Sequence, residues 1–138
     1  MNYQKIGLEC EQVYHIYNRA NGSERLFLKD SHYFEFLEKY RLYIAPIADT
    51  HAYCLLPNHF HLLVRIKSQE EVEKFFASAY PLSESPGLSE SGFKLVKQFG
   101  NLFSSYTQWL NKKTERKGSL FTPKFKRKLV GDSEYFTQ

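Results

Sequence analysis

Cysteine, methionine and tryptophan are scarce in this chain, with two, one and one among 138 residues. Cys10 and Cys54 make no metal-knuckle or redox motif, and their spacing gives a disulfide no support. Two buried thiols in a reducing cytoplasm is the reading that fits best. Long apolar runs are missing too. None approaches the roughly 18 residues needed to cross a bilayer, so no membrane partner is expected. The opening MNYQKIGLECEQ lacks the apolar core of a secretory signal. A phosphate-binding G-x-x-x-x-G-K-[ST] loop is also absent, which argues against a nucleotide cofactor.

Aromatic rings, by contrast, are plentiful at 17%, and basic charge is concentrated. Between Lys112 and Lys128 lie eight basic residues against one acid, Glu115. That local excess of seven, in a chain of net charge +4, leaves the remainder at −3. A basic block on a mildly acidic protein is the footprint of a polyanion partner. A merely solvated helix end and loop is the plainer alternative.

The length suits one domain, residues 1–138, with its own core. VYHIYNR (Val13 to Arg19) alternates like a strand, and NGS after it signals a turn. Asp30 or Ser31 can cap a helix carrying Phe34, Phe36, Leu37, Tyr40 and Ile44, which Pro46 stops. HAYCLL (His51 to Leu56) and HFHLLVRIK (His59 to Lys67) read as strands joined by the two-residue turn Pro57-Asn58. SQEEVEKFFASAY suggests a short helix. Pro81 to Gly92 reads as a flexible low-complexity loop. A longer helix is expected from about Phe93 to Lys113, with Tyr106 on its buried side. SLFTPKFKRKLV reads as a last strand, and GDSEYFTQ as a cap and opening helical turn. The order predicts an α+β, ferredoxin-like split βαβ fold: an antiparallel sheet with helices on one face.

LLPNHFHLLV then raises a chemical question. In a strand, His59 and His61 share one face while Phe60, Leu62 and Val64 take the other. Two neutral imidazoles on one face can converge on a metal ion. Half-buried histidines hydrogen-bonded to their neighbours, or an adventitious zinc site, would leave the same pattern.

CLLPNHFHLLVRI resembles the histidine–hydrophobic–histidine motif of HUH endonucleases, in the form found in single-tyrosine transposases. YHIYNRANGSERLFLKDSHYFEFLE and SSYTQWLNKKTERKGSLFTPKFKRKLVGDSEYF are similar to the repeat-associated (REP-type) branch of the IS200/IS605-like transposases. The likeness covers almost all of the chain outside the Pro81 to Gly92 loop. It implies single-stranded or hairpin DNA as partner, with Mg²⁺ or Mn²⁺ held by His59 and His61 against the scissile phosphate. A tyrosine would attack in line, giving a 5′-phosphotyrosine link and a free 3′-OH. A phenol of ordinary pKa near ~10 needs such help at neutral pH. Arg116, Lys117, Lys124, Lys126, Arg127 and Lys128 would contact the DNA.

Relatives carry that tyrosine in a Tyr-Ile-x-x-Asn-Pro segment after the last strand, with an amide four residues on to complete the metal shell. Tyr135 is the nearest counterpart here, but no such segment follows it. The resemblance therefore implies a chain lacking its nucleophile helix, with the true nucleophile beyond Gln138. By itself such a chain would keep metal and DNA affinity without forming a covalent adduct. The competing reading is a non-catalytic module that binds single-stranded or hairpin DNA through stacking and phosphate contacts. A two-histidine phosphoesterase would need two His-x-Thr/Ser motifs, which are absent. Relatives include monomers and homodimers, so both states stay open.

Overall fold

Alternation along two central strands sets the architecture. In a computed structural model that describes residues 7–81 and 88–131, seven elements follow in order. They are β1 (Val13–Arg19), α1 (Asp30–Tyr43), β2 (Ala48–Leu56), β3 (His59–Ile66), α2 (Gln69–Ala79), α3 (Leu88–Thr114) and β4 (Lys126–Val130). The strands form one antiparallel sheet in the order β2-β3-β1-β4. This is the expected α+β, ferredoxin-like arrangement. Its two central strands are β1 and β3.

Tyr14, Ile16 and Asn18 of β1 pair with Val64, Leu62 and Phe60 of β3, and all six are buried. This is the face that the helices cover. Phe36 of α1 lies 6.0 Å from the Phe60 ring, and Phe103 of α3 lies 5.2 Å from it. Tyr106, also on α3, meets Phe36 edge-on at 5.3 Å and donates from its hydroxyl to Leu26 O at 2.5 Å. Burial pushes its phenol far above the ordinary tyrosine range. Tyr106 is core, as its place on the apolar side of its helix suggests.

The Pro57-Asn58 turn is as tight as expected, with Leu56 paired to His59 across it. Neither turn residue has a positive φ, so this is not the usual primed hairpin turn. Outside contacts hold it instead. Pro57 O accepts from Leu26 N (2.7 Å) and Phe27 N (3.3 Å), and Asn58 O accepts from Ala20 N (2.9 Å). The loop after β1 thus clamps the turn that starts the histidine strand.

Four local expectations are corrected. Neither Asp30 nor Ser31 caps α1: the cap is Lys29, and the His32 ring reaches back to accept from Leu28 N at 3.0 Å. β2 begins three residues earlier than read, because its pairing with β3 continues past an irregularity between Thr50 and Ala52. α3 begins at Leu88, inside the segment read as loop. β4 is only five residues long. Pro123 offers no N–H and Lys124 is left-handed at φ 58°, so upstream pairing shrinks to an Ala20–Phe121 bridge. The segment is still pinned, since Asn18 Nδ2 donates to Thr122 O at 2.9 Å and Thr122 Oγ1 donates to Asn18 Oδ1.

Cys10 and Cys54 are free thiols but not buried as expected. Cys10 is half-buried and Cys54 is exposed on the edge strand β2. No described helix is long and apolar enough to cross a membrane.

Candidate metal centre and nucleic-acid face

Strand alternation turns His15, Tyr17, His59 and His61 to the sheet face opposite the one that α1 and α3 pack against. Partners across the β1–β3 ladder place Tyr17 beside His61, and Arg19 beside His59. Across β1–β4, Lys126 pairs with Tyr17, and Lys128 with His15. His15, Tyr17, His59, His61, Lys126 and Lys128 therefore share one surface. The expected His59 and His61 pair is together there, half-buried, with rings 5.2 Å apart and perpendicular at 89°.

Each histidine is oriented by a hydrogen bond to its Nδ1. His59 Nδ1 lies 2.8 Å from Asn58 Oδ1. An amide oxygen only accepts, so that nitrogen donates, and in the neutral tautomer with this proton Nε2 keeps its lone pair. His61 Nδ1 lies 2.9 Å from His15 Nε2. The three rings of His15, Tyr17 and His61 stack, with centroids 4.5 to 5.7 Å apart. Lys126 Nζ sits 5.8 Å from the Tyr17 ring centre, a cation–π distance.

Burial lowers the pKa of His15 below the usual histidine range, with His61 and Lys128 adding to the effect. Burial, then His59, lowers that of His61. Both shifts favour the neutral ring, the form that binds metal. A consequence for stability follows. A histidine with a depressed folded pKa takes up protons more readily unfolded, so the native state loses ground as pH falls. From pH 6.5, the ordinary histidine value, the urea midpoint should hold steady until the alkaline range in which the raised Cys10 and Tyr40 groups come into play, and below pH 6.5 it should fall. His15→Gln should flatten that fall; an identical pH profile in the variant would place its cause elsewhere. His32, whose pKa burial also lowers, should keep part of the slope.

This donor set fits a hard divalent ion sparingly. Among the described residues no three His, Cys, Asp or Glu side chains group where an ion could sit. His15 does not add a third ligand here, since its Nε2 faces His61 Nδ1. Two imidazoles suit an ion that fills its remaining positions with water and phosphate oxygens, as Mg²⁺ and Mn²⁺ do.

The basic block divides. Lys126 and Lys128 reach the histidine face through β4, and Lys117 lies exposed in the preceding loop. Arg116 has a structural task. It donates to Asn111 Oδ1 (2.6 Å), Gly118 O (3.1 Å) and Ser119 O (2.7 Å), and pairs with Glu24 at 3.3 Å. Arg127 points to the helix side, buried, with its guanidinium 4.8 Å from the Phe125 ring centre. Lys124 and Arg127 line an open groove of ≈ 500 Å³ there, with Lys97 and Asn101 of α3. The six basic residues proposed from sequence thus do not form one surface. Tyr135 lies outside the described residues.

His15 and Tyr17 are the members of this face that the histidine motif does not reveal. A signal existed: alternation in VYHIYNR puts both on one side, and a split βαβ order sets β1 next to β3.

No family model matches the chain, and no curated protein matches it. Among solved structures, a REP-associated tyrosine transposase bound to a REP hairpin is similar in fold, with a TM-score of 0.60 at 8% sequence identity. The likeness covers 99% of this chain and 66% of that one, so the chain spans just under two thirds of the neighbour's length. At that identity it is a likeness of fold: a four-stranded antiparallel sheet backed by helices.

Proposed function

We propose that this domain is the metal-binding and DNA-binding part of an HUH-type single-strand endonuclease or transposase. The observation that carries the reading is His59 and His61 side by side on the sheet face away from α1 and α3, each with Nδ1 already engaged. The fold likeness to a transposase that was solved with a DNA hairpin supports it.

In this reading His59 and His61 hold Mg²⁺ or Mn²⁺ through Nε2. The ion, when bound, supplies positive charge against the phosphate oxygens as the strand is cut. Lys126 and Lys128 hold the DNA backbone along β4, and Tyr17 offers a half-buried ring for a base. The attacking group is a tyrosine C-terminal to β4, and the product is a 5′-phosphotyrosine link with a free 3′-OH. The phosphodiester energy stays in that link, so rejoining needs no nucleotide cofactor.

The deciding experiment measures binding of a fluorescent hairpin oligonucleotide with a single-stranded flank, in Mn²⁺ and then in EDTA. Mn²⁺ should tighten binding about tenfold, comparable to one contact to a charged group, and His59→Ala should remove the difference. Equal binding in both conditions would favour a plain DNA-binding module. That module is the second reading, because the described residues supply only two ligands.

The lysines make a separate prediction. Replacing Lys126 and Lys128 together with alanine should weaken binding of a single-stranded oligonucleotide. It should also lower the slope of log K against log salt by about 1.4 units, for two lost phosphate contacts on a single strand. An unchanged slope would confine both lysines to a solvated edge.

A further inference from the structure

We infer that His15 is a positioning residue: its Nε2 accepts the Nδ1 proton of His61 and so aims the Nε2 lone pair of His61 toward His59. The inference rests on the metal-binding reading above.

The two rings share one hydrogen bond of 2.9 Å between His15 Nε2 and His61 Nδ1, and it has two chemical versions. If His15 donates, the His61 proton sits on Nε2, and no nitrogen of His61 is left with a free lone pair for an ion. If His61 donates, its proton sits on Nδ1 and Nε2 is available. Only the second version makes His61 a ligand. It also makes His61 match His59, whose Nδ1 proton goes to Asn58 Oδ1 at 2.8 Å. Metal-bound histidines usually donate their other N–H to an acceptor, which fixes both tautomer and ring orientation. Here the acceptor for one comes from the turn, and for the other from the neighbouring strand.

His15 is itself held in place. The Tyr17 ring stacks on it at 4.5 Å and 25°, and Lys126 Nζ lies over Tyr17. Strand pairing sets His15 opposite Leu63, one step along the same face from the Tyr17–His61 pair. The acceptor therefore arrives diagonally across a central ladder, not from a mobile loop.

Two substitutions separate hydrogen bonding from packing. His15→Gln keeps an acceptor near the same point, whereas His15→Phe keeps a flat ring with no acceptor. Nitrogen-15 NMR of the metal-free chain should find the His61 proton on Nδ1 in the wild type and in His15→Gln. In His15→Phe the proton should redistribute toward Nε2. Calorimetric Mn²⁺ titration should show about 10- to 100-fold weaker binding in His15→Phe, with His15→Gln within about threefold of wild type. A wild-type His61 protonated on Nε2, or a His15→Phe protein with wild-type Mn²⁺ affinity, overturns the inference. If the wild type takes up no Mn²⁺, the functional reading fails, and the NMR tautomer alone decides the role of His15.

Discussion

Replacing His61 with alanine should weaken Mn²⁺ binding by at least about 100-fold while leaving the unfolding midpoint almost unmoved. Losing a residue that merely orients a ligand typically costs 10- to 100-fold in affinity, so removing one of the two proposed imidazole ligands should cost more. The stability side follows from position. His61 is half-buried on the sheet face away from α1 and α3, and its side-chain hydrogen bond among the described residues is the one to His15. Truncation leaves His15 Nε2 open to water instead of stranding it in a dry core. Substitutions of that kind stay within about 0.5 kcal/mol. Calorimetric titration with Mn²⁺ and urea unfolding of the same preparation would check both halves. A His61→Ala protein that binds Mn²⁺ like the wild type would remove His61 from the metal site.

The division of β3 into a core face and a histidine face was legible in the sequence. Alternation alone put His59 and His61 on one face and Phe60, Leu62 and Val64 on the other, and the observed burial follows it. The two-residue turn announced the pairing next to it, Leu56 against His59, but not the shift between Thr50 and Ala52. The long-range parts of the site were harder to read. His15 becomes a partner of His61 only once β1 is known to lie beside β3, 46 residues away in sequence. Nothing in VYHIYNR by itself distinguishes His15 from any polar residue on an open face.

How the basic block divides between the two sides of the sheet was not legible for a related reason. Composition counts charges but does not assign them to sides. β4 begins only at Lys126, after the break at Pro123 and Lys124. Strand alternation then sends Lys126 and Lys128 to the histidine face and Arg127 to the helix face. Arg116 was legible as a cation but not as a clamp, because its partners Glu24 and Asn111 come from distant parts of the chain. The early start of α3 had no apolar signal to announce it.

Phe60→Ala, one residue before His61, should do the opposite of His61→Ala. Phe60 is fully buried and its ring meets Phe36 at 6.0 Å, Phe103 at 5.2 Å and Phe121 at 6.0 Å. It thus joins α1, α3 and the segment before β4 at the centre of the sheet. Truncation removes the apolar contacts and leaves a cavity that three aromatic neighbours, each fixed by others, cannot easily fill. Such Phe→Ala changes cost about 3–5 kcal/mol, a large share of the roughly 5–15 kcal/mol that holds a domain together. In a domain of this size the melting temperature should drop by about 10–20 °C. At temperatures where the variant stays folded, Mn²⁺ affinity should lie within a few-fold of wild type, since the imidazoles face away from the cavity. Thermal unfolding, followed by titration well below the new midpoint, reads both quantities. A stability loss under about 1 kcal/mol would mean that β3 is paired one residue out of register. Every side chain would then change faces, with Phe60 in water and the two histidines in the core.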